Sequence, residues 1–442
     1  MHAELGSIVG PDHVIADPPA RYLQDATVSR GLRGRADAVV LPGSAEETAA
    51  VLAWCYERGV PVTPRGGGTG FAGGAVPVEG GVLLSLERLA RVRSLDPGVW
   101  RMEVEAGVTT AHVRRLAREN GLLFPPDPGA AEDSQIGGNI ATNAGGPHAF
   151  KYGVTGAWVT GLEAAMAPGE LVRMGGPVRK DVAGYDLRGL LVGSEGTLGV
   201  ITAAWLALLP APEAALPLMG LYAGPAEGCE AIGRVLASGL VPAALEYLDA
   251  GTLRAAAAGF PGGLDARAGF MVLAEADGSR AEAERLAEEL REALAGGALA
   301  VLAPDPGALW RWRDGVSIAV GALRGGKVSE DVAVPVDRLR EAIEGTLEIG
   351  RRHGLEACSW GHAGDGNLHS TFLLPREEAA RAEAAAAELF ELALALGGSI
   401  SGEHGVGLVK RGQVRGPVRL HAAVKAALDP KGLLNPQKKL PG

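Results

Sequence analysis

The chain reads as an α+β protein of two or more domains, on three observations. Its 442 residues are ample for a real core and too many for one ordinary domain. Strand-like and helix-like runs alternate in small units rather than in long regular βαβ repeats. Beyond Pro212 the alternation is that of an antiparallel sheet with helices on one side.

The elements follow in order. Residues 1 to about 35 suggest a helical lead-in. A strand is expected over Ala38–Leu41, then a turn at Pro42-Gly43 and a helix N-capped by Ser44, with Glu47 as capping-box partner. The strand Val60–Pro64 runs into a glycine loop, "PRGGGTGFAGG". "GGVLLSLERLARVRSLDPGVWRMEVEAGVTTAHVRRLARENGL" predicts a strand, a short helix, two strands around Asp96-Pro97-Gly98, and a helix capped by Thr109 or Thr110. Residues 124–153 are almost all loop by composition, and a loop that long in a folded domain signals function or disorder. Strands around a Pro-Gly turn follow, and the apolar run Gly196–Ala211, too short to span a membrane, reads as a buried strand. After Pro212 come "LPLMGLYA" (strand), "PAEGCEAIGRVLASGL" (helix), "GFMVLAEADG" (strand) and "SRAEAERLAEELREALAGG" (helix). Two Ala-rich segments are helices by propensity, and the final "DPKGLLNPQKKLPG" is a turn-rich tail pinned to the body.

Composition narrows the function. The chain is 47% hydrophobic and 21% charged, which fits a folded globular protein. Lys plus Arg is 42 against 52 Asp plus Glu, a net charge of −10 that does not favour a nucleic-acid backbone as partner. Cys55, Cys229 and Cys358 are scattered, so neither an iron–sulfur cluster nor a disulfide scaffold is expected within this chain. No signal peptide or transmembrane segment is read, and a cytoplasmic location is the expectation.

Two stretches carry chemistry. In the glycine loop, successive amide N–H groups can cradle a phosphate, although neither a Walker A loop nor the GxGxxG fingerprint is present. Taken alone, the stretch leaves a generic glycine-rich turn as the alternative. The second is "CSWGHAGDGNLHST", Cys358 to Thr371. Asp365-Gly366-Asn367 should form a tight turn, so that His362 can approach His369 across it. Spacing alone leaves open whether these are turn histidines or ligands.

The order of "VPVTPRGGGTG", "FPPDPGA", "IGGNIATNAGG", "KYG", "VGSEGTLGVIT", "GHAGDGNLH" and "SGEHGVG" resembles the FAD-linked oxidase family, with its vanillyl-alcohol-oxidase type FAD-binding domain. The branch it is most similar to holds glycolate oxidase flavoprotein subunits and D-lactate dehydrogenases. The resemblance implies a two-part FAD-binding domain over 1–210, an α+β substrate-binding cap over 211–400, and a C-terminal segment, 401–442, returning to the flavin. Arg65, Gly66, Gly67, Gly68, Thr69, Gly70 and Gly74 would hold the diphosphate. Pro128, Gly137, Gly138, Thr142, Asn143 and Gly146 would lie near the flavin and ribityl chain. Gly193, Glu195, Gly196, Gly199 and Ile201 would pass its other side, and Asn435 of the tail would approach it. Thr69 stands where some members carry a flavin-linked histidine, so FAD is expected to be non-covalent.

The same resemblance makes His362, His369 and Glu403 ligands of a divalent metal (zinc, manganese or iron), with His404 as catalytic base and Asn367 orienting substrate. Arg313 would clamp a substrate carboxylate; Arg311 is the alternative. Some relatives place a lysine where this chain has Ser329, and Lys327 is the nearest. The implied reaction is oxidation of a small D-2-hydroxy acid, glycolate or D-lactate, to the 2-oxo acid by hydride transfer to flavin N5. Alternatives are a dicarboxylic hydroxy acid such as D-2-hydroxyglutarate, a non-catalytic FAD-binding subunit, or an ether-lipid-forming flavoenzyme. Expected partners are a second flavoprotein-like subunit and an iron–sulfur subunit, through which the chain would dock at the inner face of a membrane.

Overall fold

The computed structural model describes residues 1–441. The chain forms two units, one of residues 1–145, 154–211 and 403–442, the other of residues 146–153 and 212–402. The octapeptide 146–153 thus belongs with the second unit, although it lies inside the stretch expected for the first.

Among the described residues the first unit holds a four-stranded sheet, a five-stranded sheet and a two-stranded ribbon. Strands β1 (Val14–Ile15), β2 (Ala38–Val40), β3 (Val62–Arg65) and β4 (Val82–Ser85) assemble in the order β1-β2-β4-β3. The pairs β2–β4 and β3–β4 are parallel, and all of β2 and β4 is buried, as parallel strands usually are. Helix Ala45–Arg58 packs into the same core; Ser44 accepts from Glu47 N at 3.1 Å, while the Glu47 carboxylate takes the Gly43 N–H at 2.6 Å. That back-contact falls one residue short of the expected capping box.

β5 (Val92–Asp96), β6 (Arg101–Glu105), β8 (Val159–Met166), β9 (Glu170–Gly175) and β10 (Val200–Ala207) form an antiparallel sheet, β5-β6-β10-β8-β9, while β7 (Leu122–Leu123) pairs with β11 (Leu209–Pro210). Central β10 is buried along nearly all its length, which is why its sequence is a continuous apolar run. Two local expectations fail. "LERLA" is a turn between β4 and β5, not a helix. The glycine-rich Ile136–Thr142 is helical, because Ile136 and Ile140 fall one turn apart and bury together in the core. Thr109 caps helix Thr110–Glu119 by accepting from His112 N at 3.2 Å.

The second unit is one seven-stranded antiparallel sheet. Its strands are β12 (Ala214–Tyr222), β13 (Ala244–Asp249), β14 (Phe270–Gly278), β15 (Ala300–Leu302), β16 (Lys327–Ala333), β17 (Glu356–His362) and β18 (Asn367–Leu373), ordered β15-β12-β14-β13-β17-β18-β16. Helix Arg280–Ala295 opens on a complete Ser279/Glu282 capping box. Helix Pro306–Ala322 packs Leu309, Trp312, Val316 and Val320 into a core shared with Leu248, Leu273 and Trp360. Among the described residues no helix is long and apolar enough to cross a membrane.

Candidate active site

The glycine loop leaves the end of β3 and lines a cavity within the first unit. Its walls include Gly66, Gly67, Gly68, Thr69, Gly70 and Gly74. Helix Ile136–Thr142 adds Gly137, Gly138 and Thr142, and the segment into β10 adds Glu195, Gly196, Gly199 and Ile201. A side chain at Gly67 has no room: its Cβ would lie 2.0 Å from the Asp133 carbonyl oxygen. The loop is therefore bare backbone pressed between its neighbour and the cavity, the form that presents N–H groups to an anion.

Arg65 lines this cavity, but Nη1 donates to the Gln24 carbonyl at 2.8 Å and Nη2 to that of Arg21 at 2.7 Å. It braces the loop from behind. Of the other residues expected here, Asn143 adopts φ 54 at the end of helix Ile136–Thr142, its Oδ1 accepting from Gly156 N at 2.8 Å, and Gly193 N donates to the Ile140 carbonyl at 2.9 Å. Both shape the wall from outside it. Asn435 Nδ2 donates to the carbonyls of Gly74 at 2.9 Å and Glu195 at 2.7 Å, which ties the tail to the loop. Pro128 is half-buried and Gly146 lies in the second unit; neither lines the cavity. Sequence reasoning missed Asp25 and Gln135 in the lining, since neither stands in a glycine motif. Gln135 Oε1 is buried without a protein partner. A buried acceptor of that kind calls for a donor from the cavity's occupant. A dinucleotide with a diphosphate and donor hydroxyls suits both the bare-backbone loop and this acceptor, so the residues fit FAD.

His404 also lines this cavity. Its ring packs on Phe71 with centroids 4.8 Å apart, and its Nε2 lies 3.8 Å from the carboxylate of neighbouring Glu403. Glu403 and His404 open the C-terminal segment of the first unit.

In the second unit, pleating and register gather polar side chains on one sheet face. His362 ends β17 and His369 lies on β18, with the turn through Gly366 (φ 66) between them. Their rings meet edge to face at 5.3 Å. His362 Nδ1 lies 2.5 Å from Glu246 Oε1 on β13. Arg313, from helix Pro306–Ala322, donates Nε to Glu246 Oε2 at 2.9 Å and adds an Nη2 bond to the same oxygen. Burial alone would raise the Glu246 carboxyl; the His362 imidazole and Arg313 guanidinium outweigh it and hold it down at about 2. Asn367 Nδ2 donates to the Val332 carbonyl at 2.9 Å. Buried Asp331 accepts from Gly402 N at 2.7 Å and from Ser401 Oγ at 3.2 Å. Ser329 Oγ pairs with Thr371 Oγ1 at 2.7 Å, while Lys327 Nζ is bound to Ser317 through its carbonyl and hydroxyl, both at 2.6 Å.

Glu246 and Asp331 were not foreseen. The available signal was a carboxylate inside an apolar strand, "ALEYLD" and "EDVAV". The same holds for Glu275 and Asp277 on β14. His148 Nε2 reaches Glu275 at 2.9 Å, and Trp310 Nε1 reaches its other oxygen at 2.6 Å. Lys151 and Tyr152 both bond Asp277. Together these contacts hold the octapeptide in the second unit.

Residues 36–175 match the FAD binding domain, and residues 212–439 match the C-terminal domain of FAD linked oxidases. The chain belongs to the FAD-linked oxidase family. It is 36% identical to "Glycolate oxidase subunit GlcD" of Bacillus subtilis over 98% of this chain and 95% of that protein. It is 35% identical to a D-lactate dehydrogenase of Anaerostipes hadrus, covering 92% of this chain and 90% of the other. A mitochondrial D-2-hydroxyglutarate dehydrogenase of Danio rerio is 32% identical over 98% and 83%. Among solved structures, p-cresol methylhydroxylase with substrate bound superposes with a TM-score of 0.80 at 18% identity, covering 99% and 96% of the two chains. Alkyldihydroxyacetonephosphate synthase gives 0.79 at 20% identity over 99% and 84%. These two share the fold. The protein is thus an FAD-linked oxidoreductase with the vanillyl-alcohol-oxidase type of α+β architecture.

Proposed function

We propose that this protein oxidises a small D-2-hydroxy monocarboxylate, glycolate or D-lactate, to the corresponding 2-oxo acid. The observation that carries the reading is His404, an imidazole in the wall of a cavity whose other walls are the FAD-family loops. Bound FAD supplies the two-electron acceptor, held without a covalent link because Thr69 cannot form a histidyl bond. His404 takes the hydroxyl proton, a task suited to imidazole near neutral pH. Arg313 spends its Nε and Nη2 on Glu246, so its Nη1 edge is the part a substrate carboxylate would meet. Asn367 orients the substrate.

His362, His369 and Glu403 are the proposed ligands of a divalent metal of the zinc, manganese or iron class. Two imidazoles and a carboxylate fit such an ion. The Glu246 contact supports this, because a carboxylate on Nδ1 orients a ligating imidazole and leaves Nε2 to coordinate. Held by these residues, such an ion would supply Lewis-acid chemistry that favours ionisation of a substrate hydroxyl. The monocarboxylate preference rests on Ser329 and Lys327. The serine pairs with Thr371 and the lysine with Ser317, so neither supplies the second cation that a dicarboxylate would need. Reoxidation would fall to a separate electron-carrying subunit, in keeping with relatives named as subunits.

Anaerobic flavin reduction with glycolate, D-lactate, L-lactate and D-2-hydroxyglutarate tests the reading, alongside elemental analysis. Glycolate or D-lactate should reduce the flavin fastest. His404→Ala should slow reduction by about 10²–10⁴-fold with metal retained, while His369→Ala should lose metal and activity together. Full activity after exhaustive chelation would remove the metal from the proposal. Fastest reduction by D-2-hydroxyglutarate would overturn the monocarboxylate assignment.

A further inference from the structure

Glu195 lines the flavin cavity, yet its carboxylate is committed to the protein. Oε1 accepts the Val406 N–H at 2.9 Å, and Oε2 accepts the Gly407 N–H at 2.7 Å. Lys439 Nζ lies 3.2 Å from Oε1. The residue holds the uncommon left-handed backbone conformation, φ 55, and its own N–H donates to the Ala141 carbonyl at 2.7 Å in the helix lining the cavity. Opposite it, Gly405 (φ 81) passes so close that a Cβ there would lie 3.1 Å from the Glu195 carboxylate. The turn 405–407 is therefore seated on Glu195, and the residue immediately before that turn is His404.

We propose that Glu195 is a positioning residue for His404, anchoring the turn that holds the imidazole in the cavity wall, rather than a cofactor ligand. The inference rests on His404 being the base. Its physical basis is a match of donors and acceptors. Two adjacent backbone N–H groups need two acceptors, and a buried carboxylate supplies both with charge-assisted bonds. Catalytic groups tolerate little misplacement, so a tether two residues away governs rate more than binding.

The test is Glu195→Gln in the FAD-loaded protein. The amide keeps one acceptor and turns an N–H donor toward the other amide, so the turn loses a bond and gains a clash. FAD content and dissociation constant should stay within twofold of wild type, and the apparent substrate Kd within threefold. The limiting rate of anaerobic flavin reduction should fall at least 30-fold. Gly405→Ala, which pushes on the same turn with Glu195 intact, should show the same split between rate and binding. Loss of FAD from Glu195→Gln would make Glu195 a cofactor ligand and overturn the proposal, as would an unchanged reduction rate. An active His404→Ala would fail the base assignment itself. An inactive His404→Ala beside a normal Glu195→Gln would fail only the positioning role.

Discussion

The cavity of the first unit and the polar sheet face of the second are built from different materials. The cavity is made largely of backbone, from the glycine loop, helix Ile136–Thr142 and the segment into β10, with few charges. The sheet face is made of ionisable side chains, with Glu246 shared between Arg313 and His362 and Asp331 capping a chain turn. Backbone can meet an anionic cofactor with partial charges that need no counter-ion. A buried carboxylate needs a partner for every charge, and removing one member exposes the rest. The two sites should therefore fail in different ways.

The largest effect is expected at Glu246. Glu246→Leu leaves Arg313 buried without its carboxylate and should cost about 3–5 kcal/mol in denaturant unfolding at neutral pH. The double variant Glu246→Leu with Arg313→Met should recover most of that stability while remaining inactive. If the single and double variants are equally unstable, the pair is not the charge unit described here. Because the Glu246 carboxyl is depressed to about 2, its contribution should be complete above the ordinary carboxylate range and disappear as pH falls through about 2.

Lys327 tests the same sheet with a buried cation and in a different pH window. Its ammonium stands over the Trp360 ring at 5.2 Å, and burial pushes it down to about 8. Between pH 8 and the ordinary lysine range, the unfolded chain holds a proton that the folded chain has released. Stability should therefore rise with pH through that window, by ~3 kcal/mol at most. Unfolding midpoints measured at pH 7.5 and 10 should show this rise in the wild type and not in Lys327→Met. An equal slope in both would assign it to other groups.

The backbone-built cavity should respond more gently to substitution, through the cofactor. Gly67→Ala forces a Cβ against the Asp133 carbonyl and should cost about 1–3 kcal/mol in the FAD-free protein as well as FAD retention. Gly138→Ala is the contrast: apart from its own helix backbone, a Cβ there meets nothing within 4 Å. As a helical position it should gain up to ~1 kcal/mol in the FAD-free protein while releasing FAD faster. Calorimetry with and without FAD separates the two. If Gly138→Ala binds FAD normally, the flavin does not pack against that turn.

Local order was legible wherever one residue type decides a conformation. The Ser44 and Thr109 caps, the apolar β10 and the turn at Gly366 all follow from neighbouring side chains. Helix Ile136–Thr142 was misread because its glycines argue for loop, and only burial of Ile136 and Ile140 in a core built by distant strands overrides them. By itself the sequence determined the α+β class, through the alternation of strand-like and helix-like runs, and the approach of His362 to His369 across a tight turn; the reading of the glycine loop came only from the order of motifs along the whole chain. Tertiary structure alone decided that Arg65 braces the loop, that Glu246 joins Arg313 to His362, and that Glu195 seats the turn after His404. Those partners lie 41 to 212 positions apart, and pairing at such separations is set by strand register and chain packing, which no local pattern encodes.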